Sequence, residues 1–478
     1  MKAPKNSYST TRQVNEIKKD YDKIKHRRVK RKLRCFLQFT IKAKKIFYIA
    51  LPAIGESYLQ SLLGVIDSFF IAKLGLLAIN SVGVTNIYSM TYIGVFMAVS
   101  ATLSVFLSRA FGAKDTKRSK SVIFHGLFLS VLLGLLFSVF SVIFASTLLE
   151  WTGANELLKE NASVYFKVIL GLTPFIALFT VQSASFRAIG DTRTPLKVGI
   201  EMNIIHIILD YLLIFGIGSF HGLGLTGAAI AMILARIYGF VRLFIKSHRI
   251  PSITLKSSDF RPVWSLAWSM IKFAIPAMLE RLSLRLGQVI YFGLIVRMGK
   301  EVYATHNIAG NLTTFASTIG GGFAVAASTL IGQAIGEKNP SDVKEFRKWS
   351  YILSAISMTL VTAIIALGSP WIGKLFTTDK TILHLLFIIL LIDTVSQPFL
   401  ASVTIDTSVV QAGGNSKFPM IVTFLGVWVI RTLGVYIFAW KFGFGLQAVW
   451  TAIATDNALR AGLFAWYRKQ KKVISDLA

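Results

Sequence analysis

Cysteine occurs once in these 478 residues, and acids are scarce, with 23 Asp and Glu standing against 52 Lys and Arg. The single thiol, Cys35, can form no internal disulfide, which excludes a small disulfide-stapled scaffold. The seven histidines are scattered, and no H-E-x-x-H pair, Walker loop or nucleophile elbow occurs. No enzymatic activity, cofactor or nucleotide-binding domain is therefore expected. What fills the chain instead is apolar: 54% of residues are hydrophobic and the mean hydropathy is +0.60, a membrane composition.

Twelve apolar stretches are long enough to cross a ~30 Å hydrocarbon core as helix. They cover 46–73, 86–110, 121–149, 161–182, 195–218, 222–245, 264–298, 307–335, 349–375, 381–406, 417–440 and 443–467. None shows the period-two alternation of a barrel strand, so helices are the remaining way to satisfy the backbone in lipid.

The formal net charge of +29 invites a nucleic-acid partner, but its distribution argues against one. The first 45 residues hold 16 Lys and Arg against three acids. Further cations (Lys114, Lys117, Arg118, Arg187, Arg193, Arg249, Lys256, Lys344, Lys348, Lys469 and Lys472) follow spans two, four, six, eight and twelve, while the intervening loops are nearly bare. Positive loops remain cytoplasmic, which puts both termini inside a plasma (inner) membrane. Residues 1–45 carry no apolar core of a signal peptide and are expected to be a retained leader without regular structure, with an affinity for anionic membrane lipids.

The sequence repeats itself at an offset of 224. Leu51 to Gly75 aligns without a gap on Ile275 to Gly299, matching Pro52 to Pro276 and Glu56 to Glu280. Gly112 in FGAKD then falls on Gly336 in IGEKN, and Pro195 on Pro419. An even number of spans per repeat makes the two repeats parallel, related by a pseudo-two-fold axis along the membrane normal. The expected fold is an all-α polytopic membrane protein of twelve helices: an N-lobe at 46–247, a linker at 248–263, a C-lobe at 264–467 and a cytoplasmic tail at 468–478.

These features together resemble the MATE (multidrug and toxic compound extrusion) family. The resemblance rests on Pro52 with Asp67 after it, SRAFGAKD, FRAIGDTRTP, LDYLLIFG, GLGLTGAAIA and IAGNLTTFASTIGGGFAVAASTLIGQAIG, in that order. It implies alternating access of two lobes and secondary active export of small amphipathic molecules against H+ or Na+. The alternative within the same superfamily is a flippase for lipid-linked oligosaccharides or other amphipathic lipids.

An ionisable residue at membrane depth costs about 2.5–3.5 kcal/mol on insertion scales, so each one is a functional candidate. Glu56 and Asp67 lie eleven residues apart on one face of the first span, and Asp210 reaches a similar depth to Asp67 on the fifth. Two carboxylates facing each other across a low-dielectric lobe cannot both stay ionised cheaply, so the pair is a candidate proton carrier or a set of oxygen ligands for a cation. The resemblance is closest to the DinF-like branch, where the positions of Asp67 and Asp210 are tied to cation coupling. There Asn usually stands where this chain has His206, and Thr often stands where it has Met232. Both departures favour protons over sodium, and His206 joins the candidate coupling site.

Glu56, Glu280, Arg285, Gln288 and Arg431 are the candidate substrate-cavity residues, with Glu56 and Glu280 lining the central gap as a pair or bonded to Arg281 and Arg285. Asp393 and Asp406 are further acids of the second half, and the acidic site of NorM-like relatives does not map onto Glu280. Pro52 and Pro276 are candidate helix bends. Gly320, Gly321 and Gly322 serve either close helix packing or a hinge.

Overall fold

The computed structural model describes residues 8–218, 220–256 and 259–470, with side chains described at 40–218, 221–256 and 259–470. The chain divides into two units, Met1–Lys45 and Ile46–Ala478. In the first, helix α1 (Tyr8–Ala72) begins at Tyr8, so the basic leader is helical where irregular chain was expected. The end of the tail, 471–478, lies outside the described residues, and so does any statement about the Cys35 side chain.

The larger unit is a helical bundle. After α1 come α2 (Leu76–Gly112), α3 (Thr116–Ile143), the short α4 (Ala145–Trp151), α5 (Glu156–Gly171), α6 (Thr173–Ala188), α7 (Arg193–Phe215) and α8 (Leu225–Ser247). The second half holds α9 (Trp264–Arg297), α10 (Lys300–Gly336), α11 (Pro340–Ile372), α12 (Lys380–Ala412), α13 (Lys417–Lys441) and α14 (Gly445–Gln470). Among the described residues nine helices are long and apolar enough to cross a membrane, or ten with α5 and α6 taken as one span bent by 41°. The helices α9 and α14 complete the twelve, and both carry internal charge: Glu280, Arg281 and Arg285 on one, Asp456 and Arg460 on the other.

The bend between α5 and α6 has a local cause. Pro174 sits in the first turn of α6 and supplies no N–H. Ser138 Oγ on α3 donates to the Gly171 carbonyl, which an unbroken helix would have paired internally, and Thr173 Oγ1 ties the bend to α3 by donating to the Gly134 carbonyl at 3.0 Å. Bare Gly134 allows this approach, because a Cβ there would come within 2.7 Å of Pro174 Cα.

The repeat extends to backbone conformation. At the offset of 224, α2 and α10 start and end at equivalent residues, and α3 and α11, and α7 and α13, start at equivalent ones. Lys114 and Lys338, equivalent residues that follow α2 and α10, both adopt the left-handed region, with φ of 56° and 55°. The next positions, Asp115 and Asn339, both cap the following helix, accepting from the backbone N–H of Arg118 and Asp342. Two sequences at this divergence keep such details because each solves the same turn.

The halves differ at the α5–α6 bend, whose counterpart α12 is unbroken, and again in α13. Where α7 is regularly α-helical, α13 is π-helical over Leu425–Thr432 and Val435–Lys441. Thr432 Oγ1 caps the wide turn by donating to the Val427 carbonyl five residues back, at 2.8 Å.

Pro52 and Pro276 both lie inside uninterrupted helices. The glycine triplet of α10 does not break that helix. A Cβ on Gly320 would meet Met358 Sδ at 2.6 Å and one on Gly322 would meet Ile54 Cγ1 at 2.2 Å, whereas Gly321 faces open space. Close packing is what Gly320 and Gly322 provide in this conformation.

The linker is tied down. Ile253 and Leu255 are buried in the core of the first half, Lys120 pairs with Asp259 at 3.1 Å, and Val263 N–H donates to His125 Nε2 at 3.0 Å.

Candidate functional site

Two polar centres lie inside the bundle. In the first half, α1 contributes Asp67 and α7 contributes His206 and Asp210. One ligand atom from each lies within 4.8 Å of those of the other two. His206 Nε2 is 3.5 Å from Asp210 Oδ2, and His206 Nδ1 is 4.0 Å from Asp67 Oδ1. The helical spacing of four residues stacks the imidazole over Asp210, and the packing of α7 against α1 closes the triangle. All three coupling candidates read from the sequence are therefore brought together.

His206 and Asp210 are 3% and 2% exposed, so neither carboxylate nor imidazole can be satisfied by bulk water. Asp67 Oδ1 and Asp210 Oδ1 have no hydrogen-bond partner. Orphaned acceptors of this kind are costly in a dry site unless something else occupies them. The triad borders a cavity of about 10 Å³, enclosed by Ile71, Tyr165, Ile214, Ala228 and Met232, which is room for about one water. The cation whose field reaches the triad is Arg236 of α8, held over the Phe179 ring at 5.3 Å.

An Asp–His–Asp set can hold a proton, or a borderline divalent metal through one nitrogen and two oxygens. A hard alkali ion takes a shell of oxygens, and beyond the two carboxylates the wall adds the Tyr165 phenol, the imidazole, a thioether and methyl groups.

The second centre is a cavity of about 810 Å³ between the halves, walled mainly by α9, α10, α12, α13 and α14, with α2 and α6 on the other side. Glu280, Gln288 and Arg431 line it as expected. Two other candidates do not. Glu56 is buried in a bidentate contact with Arg187 Nη1, at 2.9 and 3.1 Å, and only Arg187 reaches the wall. Arg285 is on the exposed side of α9, hydrogen-bonded to Gln288 at 3.3 Å, because the turn from Glu280 to Arg285 rotates it away from the cavity.

The proposed pairing of the glutamates with Arg281 and Arg285 is corrected as well. Glu280 Oε2 accepts from Gln411 Nε2 at 3.0 Å. Gln411 is the repeat equivalent of Arg187, so the two glutamates keep equivalent partners on equivalent helices, one charged and one neutral. Asp406 lies outside the cavity, bound by Arg347 at 2.9 Å and by Arg468. Asp393 lies on the wall, accepting from Gln397 at 2.7 Å.

Sequence reading missed Asp456 and Arg460 on α14. Asp456 is fully buried, 2.6 Å from Arg431 Nη2 and 2.8 Å from Arg460 Nε. A signal existed: Arg460 is the repeat equivalent of Arg236, so both halves keep an Arg at this place in their last helix, half-buried in the first and buried in the second.

At the end of the bundle that carries the basic loops, the halves are latched. Gln333 on α10 donates to the Ala188 carbonyl at 3.1 Å, and Arg109 on α2 donates to the Ala412 carbonyl from Nε at 2.7 Å and from Nη2. Thr329 Oγ1 adds a bond to the Arg187 carbonyl at 2.9 Å. These bonds join the two halves at this end.

With fold and site in place, the chain can be compared with known proteins. The MatE family model matches residues 52–212 and again 276–437, once in each repeat and starting at the two equivalent prolines. The chain belongs to the MATE family. Among curated MATE relatives, the probable multidrug resistance protein NorM of Thermotoga maritima is 29% identical over 420 residues, covering 88% of this chain and 90% of that one. The multidrug export protein MepA of Staphylococcus aureus is 25% identical over 438 residues, covering 90% and 95%. A MATE crystal structure in a bent conformation superposes with a TM-score of 0.84 at 23% identity, over 91% of this chain and 96% of that chain, which establishes the shared fold. The chain is thus a multi-pass membrane protein and a MATE transporter.

Proposed function

We propose that this MATE transporter exports small amphipathic compounds from the cytoplasm across the inner membrane, driven by protons entering through the Asp67–His206–Asp210 cluster. Multidrug export is what the name of its MepA relative describes and multidrug resistance what that of its NorM relative describes, and both relatives align over most of their length. The basic loops support cytoplasmic termini, because positive loops resist translocation. With that orientation the latched end faces the cytoplasm, the side from which substrate is collected.

The observation that carries proton coupling is the orphaned pair of buried carboxylate oxygens beside an imidazole, in a cavity too small for a hydrated ion. Accepting a proton on one carboxyl turns an acceptor into a donor, which satisfies the other carboxyl or His206 without any further atom. The net charge of the lobe changes by one unit, and α1 and α7, which carry the three residues, are the helices that feel it. Since α1 packs against α10 through Ile46, Ile49, Ala50 and Ile54, a shift of α1 is transmitted directly to the other half.

The test is transport in proteoliposomes with an imposed pH gradient or an imposed sodium gradient. Acceleration of dye export by the pH gradient alone supports proton coupling. Acceleration by sodium alone at fixed pH contradicts it.

A further inference from the structure

We infer that the central cavity contains a built subsite for an anionic group on an aromatic substrate, formed by Arg431 and Arg460 beside an aromatic shelf. The inference rests on the export reading above and names the class of molecule that the cavity would accept.

The cations are anchored but not fully neutralised. Arg431 and Arg460 both line the cavity, and both direct a guanidinium to the same carboxylate, that of Asp456. One negative charge between two positive ones leaves this contact cluster itself one unit positive, with the carboxylates of Glu280 and Asp393 elsewhere on the wall. Arg431 is 9% exposed and its Nε has no hydrogen-bond partner. Arg460 also takes Asn457 Oδ1 at 2.8 Å, and Asn457 in turn donates to Ser396 at 2.9 Å, so the position of the guanidinium is fixed from behind.

The backbone is arranged to permit this cluster. Gly426 faces it, and a Cβ there would come within 2.2 Å of Asp456 Oδ1 and 2.6 Å of Arg460 Cδ. Arg431 itself sits in the π-helical stretch of α13, a departure from its regular counterpart α7. Wide turns of this kind are rare and are frequently found at functional sites.

The other wall carboxylates do not complete the neutralisation by direct contact. Glu280 accepts from Gln411 and Asp393 from Gln397, both neutral amides, although Glu280 lies close enough for its field to reach Arg460. Arg281 adds another cation to the wall.

Next to the cluster lies the shelf. Tyr291 and Phe292 stack at 5.3 Å, His306 sits edge-on to Phe292 at 5.0 Å, and Trp450 lies 5.6 Å from His306, with Arg431 6.0 Å from the Tyr291 ring centroid. A planar ring seated there would hold its acidic substituent against the two guanidiniums. A fork of N–H donors matches the geometry of a carboxylate, sulfonate or phosphate oxygen pair.

The experiment compares two xanthene dyes of similar size and opposite charge, fluorescein and rhodamine 6G, by fluorescence polarisation on the purified full chain. Fluorescein is expected to bind the wild type, and Arg431→Gln to weaken it about tenfold or more while rhodamine 6G binding stays the same or tightens. Thermal unfolding of the variant close to that of the wild type certifies that it is folded. Glu280→Gln supplies a second arm that leaves the arginines in place, and is expected to tighten fluorescein severalfold. Fluorescein binding that ignores both substitutions, or a wild type that binds only rhodamine, would overturn the subsite. Failure of any dye to move under either gradient would instead count against the export reading, so the two can fail separately.

Discussion

Arg109 and Gln333 occupy the same position in the two repeats, and each reaches across to the carbonyl of an equivalent alanine in the opposite half, Ala412 and Ala188. The contact is therefore reciprocal about the pseudo-two-fold axis. Glycines make it possible in pairs: a Cβ on Gly112 would come within 2.1 Å of the Gln333 carbonyl oxygen, and one on Gly336 within 2.2 Å of that of Arg109. Gly332 meets Ser108, its own repeat equivalent, at the axis itself, where a Cβ would be 2.0 Å from Ser108 Oγ.

Such an arrangement has a consequence for the transport cycle. Opening towards the basic loops has to break both bonds together, and the closed state is what they stabilise, by about 0.5–1.5 kcal/mol for each neutral bond and more for the arginine. The double variant Arg109→Ala with Gln333→Ala is expected to raise alkylation of a cysteine placed at Ser328, added from the cytoplasmic side of a chain lacking Cys35, by severalfold. Unchanged alkylation means that the latch does not hold that end closed.

The glycines give the converse experiment. Gly112→Val forces a side chain into the Gln333 backbone, so closure at this end is expected to fail and export to fall at least tenfold while the protein still inserts and purifies. Wild-type export by this variant would show that the close approach is not on the transport path.

The two glutamates predict different stabilities. Glu56→Gln strands Arg187, and a buried pair losing one partner costs about 3 kcal/mol, towards the low end of that range because Arg187 borders the cavity. Glu280→Gln exchanges one partner of a neutral amide and is expected to cost about 1 kcal/mol. Thermal unfolding in detergent ranks them, and a larger loss for Glu280→Gln would contradict the pairing seen here.

Ion preference follows from the donor atoms. Replacing His206 by Asn and Met232 by Thr returns two oxygens to the wall of the small cavity. The double variant is expected to gain stimulation by sodium at fixed pH that the wild type lacks. An equal response to sodium in both proteins would show that the imidazole does not decide the ion.

Much of this architecture is legible in the sequence because the repeat fixes so many positions at once. Pro52 and Pro276 set the register, the charged loops set the orientation expected of it, and Asp67 and Asp210 stand out as acids at membrane depth. The stacking of His206 over Asp210 follows from the period of α7, whereas the approach of Asp67 depends on how α1 packs against α7. Hydropathy is less informative about direction: depth in the span points Arg285 to the substrate cavity, although α9 turns it outward. The phase of α13 was equally unreadable, because a π-helical stretch shifts every residue after it relative to a regular helix, and with it the approach of Arg431 to Asp456. Glu56 was placed in the cavity for want of its partner, since Arg187 lies 131 residues away at the end of another helix.

The central claim is that the buried acids on α1 and α7 exchange protons as the lobes move, and a pH-sensitive dye trapped in proteoliposomes reads this most directly. Addition of a transported substrate is expected to move protons across the membrane in the wild type, and to move none in Asp67→Asn or Asp210→Asn, with substrate binding retained in both. Proton movement of wild-type size in both variants would contradict the account.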